Sequence, residues 1–364
     1  MQTGLPGPHP ILDPIHGPIL GIESSCDETA CAILSAQGCI LAEAVLSQSD
    51  EHAPFGGVVP EIAARAHLAH LPSLVRRTME AAGLNYSDLG GIAASCGPGL
   101  IGGLIVGAGV GKGLAIGAGL PFVAINHLEA HALTARLPGL VPAGAPFPYL
   151  LLLLSGGHCQ CVAVDGVGRY RRLGGTIDDA VGEAFDKVGK LLGLPWPGGP
   201  ALERLAATGT AAHQVFPQPL RGRPGCDFSF SGLKTSVAQR IASLPSPLPQ
   251  ADAADIAAGF QHAVASVLAD RADHAMAMMP EARLLVVAGG VAANIAIRTA
   301  LTAAAARRSA AFAAPPIRLC TDNAVMIAWA GIERLRLGLA DPLDTAPRPR
   351  WPLAELNIPG LNAA

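Results

Sequence analysis

A pair of histidines one helical turn apart is the clearest chemical signal in this chain. His127 and His131 follow the apolar run Pro121–Ile125. In a helix both imidazoles would lie on one face, which is a common arrangement for holding a metal ion. Zinc peptidases place a glutamate directly after the first histidine, but here that position is Leu128, and Glu129 is rotated off the histidine face. The spacing indicates a metal site without the usual peptidase base, although histidines that pack or cap a helix would fit it equally well.

Two histidines need a further ligand, and a carboxylate at the start of a helix is a suitable donor. The segment Thr321–Ala324 precedes a helical pattern that extends to about Leu337. Asp322 lies near the expected N-cap of that helix and is the best-placed distant carboxylate.

Small polar turns at the ends of apolar strands form a second signal. Ser24 and Ser25 with Asp27 make one such turn, and Ser155–Gly157 makes another. A glycine turn also follows the strand that begins at Arg283. Backbone N–H groups and hydroxyls in such turns can bind phosphate oxygens, so the pattern predicts a nucleotide site without a Walker motif.

Charged residues recur in Asp178–Lys190, where two interpretations stay open. The segment is either a solvated helix face with ion pairs one turn apart, which the residues favour, or a source of carboxylates for ribose hydroxyls.

The elements that must position these groups follow an α/β pattern. The chain has 364 residues, of which 50% are hydrophobic and 15% are charged, with 43 glycines and a net charge of −3. No global basic field is present, so a nucleic acid would have to be bound by local patches. A strand–turn–strand pattern opens at Ile19 and again at Tyr149, which predicts a duplicated α/β domain with a cleft between the copies.

We expect a flexible N-terminal tail at 1–18 and an N-terminal lobe at 19–147, which is joined by a returning C-terminal helix at 324–338. A C-terminal lobe at 148–323 and a C-terminal tail at 339–364 complete the expected organisation. The proline-rich stretch Pro142–Pro148 is the expected junction. The segment Gly91–Gly111 is uncharged, and Gly99, Gly103, Gly107 and Gly111 recur every four residues, which would give a helix one very small face. We expect a closely packed helix rather than a membrane span. Eight cysteines without a C-x-x-C pair indicate a reduced cytoplasmic setting.

Ten motifs, in order along the chain, resemble the tRNA adenosine threonylcarbamoyltransferases, long described as O-sialoglycoprotein endopeptidases. They are Gly21–Thr29, Gly56–Arg65, Gly97–Gly102, Asn126–His131, Leu154–His158, Asp178–Lys187, Pro197–Pro200, Asp227–Thr235, Gly289–Asn294 and Thr321–Ala324.

This resemblance implies a duplicated two-lobed fold of the actin, hexokinase and Hsp70 (ASKHA) class. It implies transfer of a threonylcarbamoyl group from threonylcarbamoyl-AMP to N6 of the adenosine beside the anticodon (position 37) of tRNAs that read ANN codons, with release of AMP. It also implies a paralogue-like partner subunit of the TsaB type and a small P-loop ATPase of the TsaE type. The alternatives are a kinase or ATPase of the same fold and, with less support, a metallopeptidase.

The resemblance further implies a set of site residues. The metal, iron with zinc as the alternative, would be held by His127, His131 and Asp322. The adenylate would be bound by Leu153, Leu154, Ser155, Gly156, Gly157, Asp186, Gly199, Glu203 and Asn294. Glu23 and Asp27, in the first turn, are candidates for acid–base or positioning roles.

Overall fold

The structure is a computed structural model that describes residues 15–142 and 144–356. The predicted tails therefore fall partly outside the described residues, at 1–14 and 357–364. Within the described part the chain forms two compact units, one extending to Pro138 and including Asp322–Glu355, and the other formed mainly by Gly139–Thr321.

The first unit begins with a five-stranded mixed sheet. Its elements are β1 (Ile19–Glu23), β2 (Glu28–Leu34), β3 (Ile40–Ser47), α1 (Ser49–His52), α2 (Pro60–Ala82), β4 (Gly91–Gly97), α3 (Ile101–Ala118), β5 (Phe122–Asn126) and α4 (His127–Leu133). The strand order is β3-β2-β1-β4-β5. The first three strands pair antiparallel, β4 pairs parallel with β1, and β5 pairs parallel with β4. Strands β1 and β4 are buried along their whole length because helices cover the sheet.

The second unit repeats this arrangement. Its elements are β6 (Tyr149–Leu154), β7 (Cys159–Gly166), β8 (Arg169–Gly175), α5 (Val181–Leu191), α6 (Gly198–Ala206), α7 (Ser231–Ala242), α8 (Gln250–Ala277), β9 (Leu284–Ala288), α9 (Ile295–Arg307), β10 (Ala311–Ala313) and α10 (Ile317–Cys320). The strand order β10-β9-β6-β7-β8 has the same topology as the first sheet, with an antiparallel three-stranded meander followed by parallel strands. The predicted duplication of an α/β domain is therefore confirmed.

Helix α11 (Ala324–Leu335) returns the chain to the first unit. All of its residues are buried, and it packs on β1, β2 and α4. Gly21 of β1 permits this contact, because an added Cβ would lie 2.5 Å from the Ala324 carbonyl oxygen. Short 3-10 helices complete the described chain: Ala53–Phe55, Tyr86–Asp88, Thr134–Arg136, Ala211–His213, Gly290–Ala293 and Leu353–Glu355.

The glycine-faced helix is α3. By length and composition alone it could cross a membrane. Gly103, Gly107 and Gly111 are buried, and each would bring a Cβ against the β-sheet or its turns, so the small face serves internal packing. The prediction that Gly99 belongs to the same helical face was wrong, because α3 begins at Ile101.

Candidate functional site

Helix α4 holds the two histidines in a fixed position. Asn126, the last residue of β5, caps the helix, and its side-chain oxygen accepts hydrogen bonds from the N–H groups of Leu128 (2.9 Å) and Glu129 (3.2 Å). Its side-chain amide donates to the Trp351 carbonyl oxygen at 2.8 Å. All seven residues of α4 are buried. The histidines therefore project from a short helix that is anchored at its start.

The structure brings the three predicted metal ligands together. The Nε2 atoms of His127 and His131 each lie 3.4 Å from the same oxygen, Oδ1 of Asp322. One donor atom from each of the three residues lies within 4.8 Å of the other two. Two imidazole nitrogens and a carboxylate oxygen are suitable donors for iron or zinc.

The local sequence explains why Asp322 faces the histidines. Asn323, not Asp322, is the N-cap of α11, and its side-chain oxygen accepts from the Met326 N–H at 3.0 Å. The prediction that Asp322 lies near this cap holds, with the cap itself one residue later. The Asp322 carboxylate thus makes contact with His127 and His131 instead of closing the helix.

Glu23 lies behind the histidine pair. It is fully buried, and its Oε2 atom lies 3.0 Å from Nδ1 of His127, while its Oε1 atom accepts from the Ser25 N–H. Ser25 Oγ also lies 3.1 Å from the same His127 nitrogen. A carboxylate on the far nitrogen fixes the tautomer and orientation of a ligating imidazole, which leaves Nε2 for a metal.

Burial and the charges of neighbouring side chains shift the pKa values of all three predicted ligands. Burial lowers the pKa of His127, but the carboxylates of Asp322 and Glu23 outweigh it and raise this pKa well above its usual value. Burial lowers the pKa of His131, and repulsion by His127 adds to that effect. Burial raises the pKa of Asp322, but the two histidines outweigh it and hold this pKa far below its ordinary range. Among the described residues, the buried Nδ1 of His131 has no hydrogen-bond partner. The two Nε2 atoms that converge on one Asp322 oxygen form a donor set that suits a metal ion. The residues fit a divalent cation.

The first polar turn does not present its serines to a phosphate. The Ser24 N–H donates to Ser95 Oγ at 3.2 Å, and the Ser24 hydroxyl donates to the Gly103 carbonyl at 3.0 Å. Ser24 and Ser25 are both buried. The prediction of a phosphate-binding turn was therefore wrong for these two residues, which instead connect β1 to α3 and to His127. Asp27, in the same turn, is half-buried.

The second polar turn is different, because it is open. Ser155 closes it by donating its N–H to the His158 carbonyl (2.8 Å) and accepting from the His158 N–H through Oγ (3.0 Å). An added Cβ on Gly156 or Gly157 would meet nothing within 4 Å. The turn follows Leu154, the last residue of β6.

A glycine turn lies beside it at the end of the neighbouring parallel strand. Leu153 of β6 is in register with Ala288 of β9. Gly289 follows with φ +92°, and a Cβ there would lie 2.3 Å from the Leu154 carbonyl oxygen. Two turns at the carboxyl ends of adjacent parallel strands form the usual position of a ligand site in α/β sheets.

Two other predicted adenylate residues, Asp186 and Glu203, accept hydrogen bonds at the starts of helices in the second unit. Asp186 Oδ1 accepts from the Gly198 N–H at 2.7 Å, at the start of α6. Burial raises the pKa of Asp186 above its ordinary value despite the N–H groups of Gly198 and Gly199, which lower it. Glu203 Oε1 accepts from the Ile295 N–H at 2.7 Å.

Asn294 has a structural partner that the sequence did not indicate. Its side-chain oxygen caps α9 by accepting from the Ile297 N–H (3.0 Å), and its amide donates to Gln261 Oε1 at 2.8 Å. Gln261 lies inside the long helix α8, and no motif marks it.

The acidic segment before and within α5 mainly serves structure. Asp178 accepts from the hydroxyls of Ser229 (2.6 Å) and Ser231 (2.7 Å). Lys187 pairs with Glu183 one turn away at 2.8 Å. These contacts support the interpretation as a helix face with ion pairs.

Known proteins resemble this chain over most of its length. The family model described as "TsaD: tRNA N6-adenosine threonylcarbamoyltransferase" matches residues 39–329. Relatives with the name tRNA N6-adenosine threonylcarbamoyltransferase include those of Granulibacter bethesdensis, 68% identical over 93% of this chain and 94% of the relative, and Gluconobacter oxydans, 61% identical over the same shares.

Solved structures show the fold class at low sequence identity. Component A of the (R)-2-hydroxyglutaryl-CoA dehydratase of Acidaminococcus fermentans matches 88% of this chain and 99% of its own, with a TM-score of 0.53 at 16% identity. The HypF protein of T. kodakarensis matches 88% of this chain and 48% of its own, with a TM-score of 0.59 at 14% identity. The predicted duplicated α/β fold of the actin and hexokinase class is confirmed. From its motifs, its two matching units and these relatives, the chain belongs to the TsaD family of tRNA N6-adenosine threonylcarbamoyltransferases.

Proposed function

We propose that this transferase, which modifies adenosine in tRNA, takes the threonylcarbamoyl group from threonylcarbamoyl-AMP and releases AMP. The acceptor is N6 of the adenosine beside the anticodon in tRNAs that read ANN codons. The observation that carries the proposal is the convergence of His127 Nε2 and His131 Nε2 on one oxygen of Asp322, in a chain of this family.

His127, His131 and Asp322 would hold the divalent metal, iron by preference and zinc as the alternative. When bound, such a metal supplies Lewis acidity, which polarises a carbonyl and stabilises negative charge on a departing phosphate. Glu23 keeps the proton of His127 on Nδ1, at 3.0 Å, so that Nε2 is presented as a ligand. Because it is fully buried, Glu23 acts as a positioning residue, whereas the half-buried Asp27 keeps the candidate acid–base role.

The adenylate moiety of the donor would be bound in the second unit. The open turn Ser155–Gly157 offers backbone N–H groups for phosphate oxygens, since an added Cβ on either glycine would meet no atom. Asp186 and Glu203 carry carboxylates suited to ribose hydroxyls, with Leu153, Leu154, Gly199 and Asn294 completing the set. The exocyclic amine is a weak nucleophile, so the chain accelerates transfer mainly by positioning and charge stabilisation.

A peptidase function is not favoured by the environment of Glu129. This carboxylate is fully buried, with Oε2 at 3.4 Å from Nη1 of Arg334 on the back of α4. It is paired with a cation rather than placed beside a metal-bound water.

The proposed setting is cytoplasmic, with a TsaB-type partner subunit and a TsaE-type ATPase in the working complex. These partners and the location follow from the family resemblance.

The test is a nucleoside mass analysis of tRNA from cells depleted of the protein, with add-back of wild type, His131→Ala or His70→Ala. His70 is exposed on α2 and serves as the matched control. We expect threonylcarbamoyladenosine to fall on depletion and to return with wild type and His70→Ala only. Persistence of the nucleoside on depletion would contradict the assigned role. Restoration by a folded His131→Ala would show that the reaction does not need the proposed metal site.

The donor is tested with the purified complex, synthetic threonylcarbamoyl-AMP and an unmodified tRNA transcript. AMP and modified nucleoside should appear in equal amounts. Consumption of ATP without any need for the adenylate donor would favour a kinase-like or ATPase function.

A further inference from the structure

A buried arginine joins four segments of the first unit. Arg334, near the end of α11, is 7% exposed. Its Nη1 atom lies 3.4 Å from Glu129 Oε2 and donates to the Ala124 carbonyl oxygen at 3.1 Å, and its Nη2 atom lies 3.7 Å from Asp341 Oδ2. One planar guanidinium therefore connects α11 to α4, to β5 and to the segment after α11.

The same cluster fixes the strand end from which the histidine helix starts. Ala124 is held through both backbone groups, because its N–H donates to Asp341 Oδ2 at 2.9 Å and its carbonyl accepts from Arg334. Two residues later, Asn126 ends β5 and caps α4. Movement of Arg334 would therefore be transmitted to the start of α4.

The metal ligands sit on the two elements that this cluster joins. His127 and His131 belong to α4, and Asp322 lies just before α11. Glu129 comes between the two histidines in sequence, and it is the residue of α4 that contacts Arg334. The separation between the histidines and Asp322 thus depends on how firmly α4 is held against α11.

We propose that Arg334, together with Glu129 and Asp341, is a positioning residue that fixes the histidine pair relative to Asp322 and thereby sets the affinity of the site for a divalent cation. The inference rests on the proposed metal-binding role of His127, His131 and Asp322. Arg334 itself does not touch the metal or the substrate.

The sign of the effect separates positioning from simple electrostatics. A positive charge near a cation site repels the cation, so loss of the Arg334 charge would tighten metal binding if Coulomb interaction alone mattered. Loss of positioning weakens binding instead. Arg334→Met therefore has opposite outcomes under the two explanations.

A matched control is available in a second ion pair that involves α11. Arg136, in the 3-10 helix after α4, has its Nε atom 3.3 Å from Oε1 of Glu333 on α11. Arg136→Met removes this ion pair between neighbouring elements and changes no residue of the Arg334 cluster.

The experiment measures the Kd of the purified full-length chain for Zn²⁺ and Co²⁺, each as the metal alone, by competition with a chromogenic chelator. The absorption spectrum of the Co²⁺ form reports the ligand geometry. We expect Arg334→Met to weaken binding about tenfold or more and to change the Co²⁺ spectrum. Arg334→Lys should recover part of the affinity, and Arg136→Met should stay within about twofold of wild type.

Unchanged or tighter binding in folded Arg334→Met would overturn the proposal, and so would an equal loss in Arg136→Met. If Arg334→Met does not fold, the isosteric variants Glu129→Gln and Asp341→Asn replace it, and wild-type Kd values in both would overturn the proposal. A wild-type chain that binds neither metal, or a His131→Ala variant that binds as tightly as wild type, would instead refute the metal site, and the inference would fall with it.

Discussion

Alanine at Gly103 should destabilise the first unit, whereas alanine at Gly109 of the same helix should not. A Cβ at Gly103 would lie 2.2 Å from the carbonyl oxygen of Ser24 and 3.0 Å from the ring of His67. A Cβ at Gly109 would meet nothing within 4 Å. The two substitutions are chemically identical and differ only in what the new methyl group contacts.

The magnitude follows from this difference. The clash at Gly103 is with backbone, so α3 or the turn after β1 must shift, and overpacking of this kind costs about 1–3 kcal/mol. The shift also strains the hydrogen bond from the Ser24 hydroxyl to the Gly103 carbonyl, which contributes roughly 0.5–1.5 kcal/mol. Both variants gain about 0.5–1 kcal/mol from replacing a helical glycine, and this gain cancels between them. The free energy of unfolding of Gly103→Ala should therefore be roughly 1.5–4.5 kcal/mol lower than that of Gly109→Ala.

The assay is urea unfolding followed by tryptophan fluorescence in a Trp196→Phe background. The chain has three tryptophans, and the remaining two, Trp329 and Trp351, belong to the first unit. Native circular dichroism of each variant controls for folding. A Gly103→Ala midpoint equal to or above that of Gly109→Ala would refute the argument from close packing.

Three further predictions concern single side chains. Glu23→Gln should weaken Zn²⁺ binding about tenfold, measured by chelator competition, because a neutral amide orients His127 less firmly; an unchanged Kd would contradict this. Asp186→Asn, in a variant whose circular dichroism is native, should raise the KM for the adenylate donor about ten- to hundredfold, because a charged hydrogen bond to the donor is lost; an unchanged KM would exclude Asp186 from the site. Burial lowers the pKa of His67 below its ordinary value of 6.5, so the unfolded chain binds more protons and stability falls as pH drops through 6.5. His67→Gln should remove this part of the acid sensitivity, up to about 1.4 kcal/mol per pH unit, and equal pH slopes in urea unfolding would contradict it.

Local patterns were enough to predict the elements that carry the chemistry. The apolar strand before His127, the one-turn spacing to His131 and the polar residues at the start of α11 each depend on neighbours in sequence. The repeated strand–turn–strand pattern likewise predicted the duplication of the sheet.

Contacts between distant segments could not be predicted in this way. The small polar turn suggested that Ser24 could bind a phosphate. Its hydroxyl instead donates to Gly103 of α3, 79 residues away, and its N–H donates to Ser95 of β4, 71 residues away. The pairing of Glu129 with Arg334 spans 205 residues, and either side chain alone reads as an ordinary helix charge. Such pairings depend on which buried faces meet, and a single sequence does not encode that in any local pattern.

The return of α11 to the first unit has a consequence for synthesis of the chain on the ribosome. His131 and Asp322 are 191 residues apart, and nearly all of the second unit is made between them. At about 5–20 residues per second, synthesis of the segment between His131 and Asp322 takes roughly 10–40 seconds. During that interval β1 also lacks the helix that covers it. The nascent first unit is therefore incomplete until α11 emerges, and the proposed ligand set is complete only after Asp322 has been made.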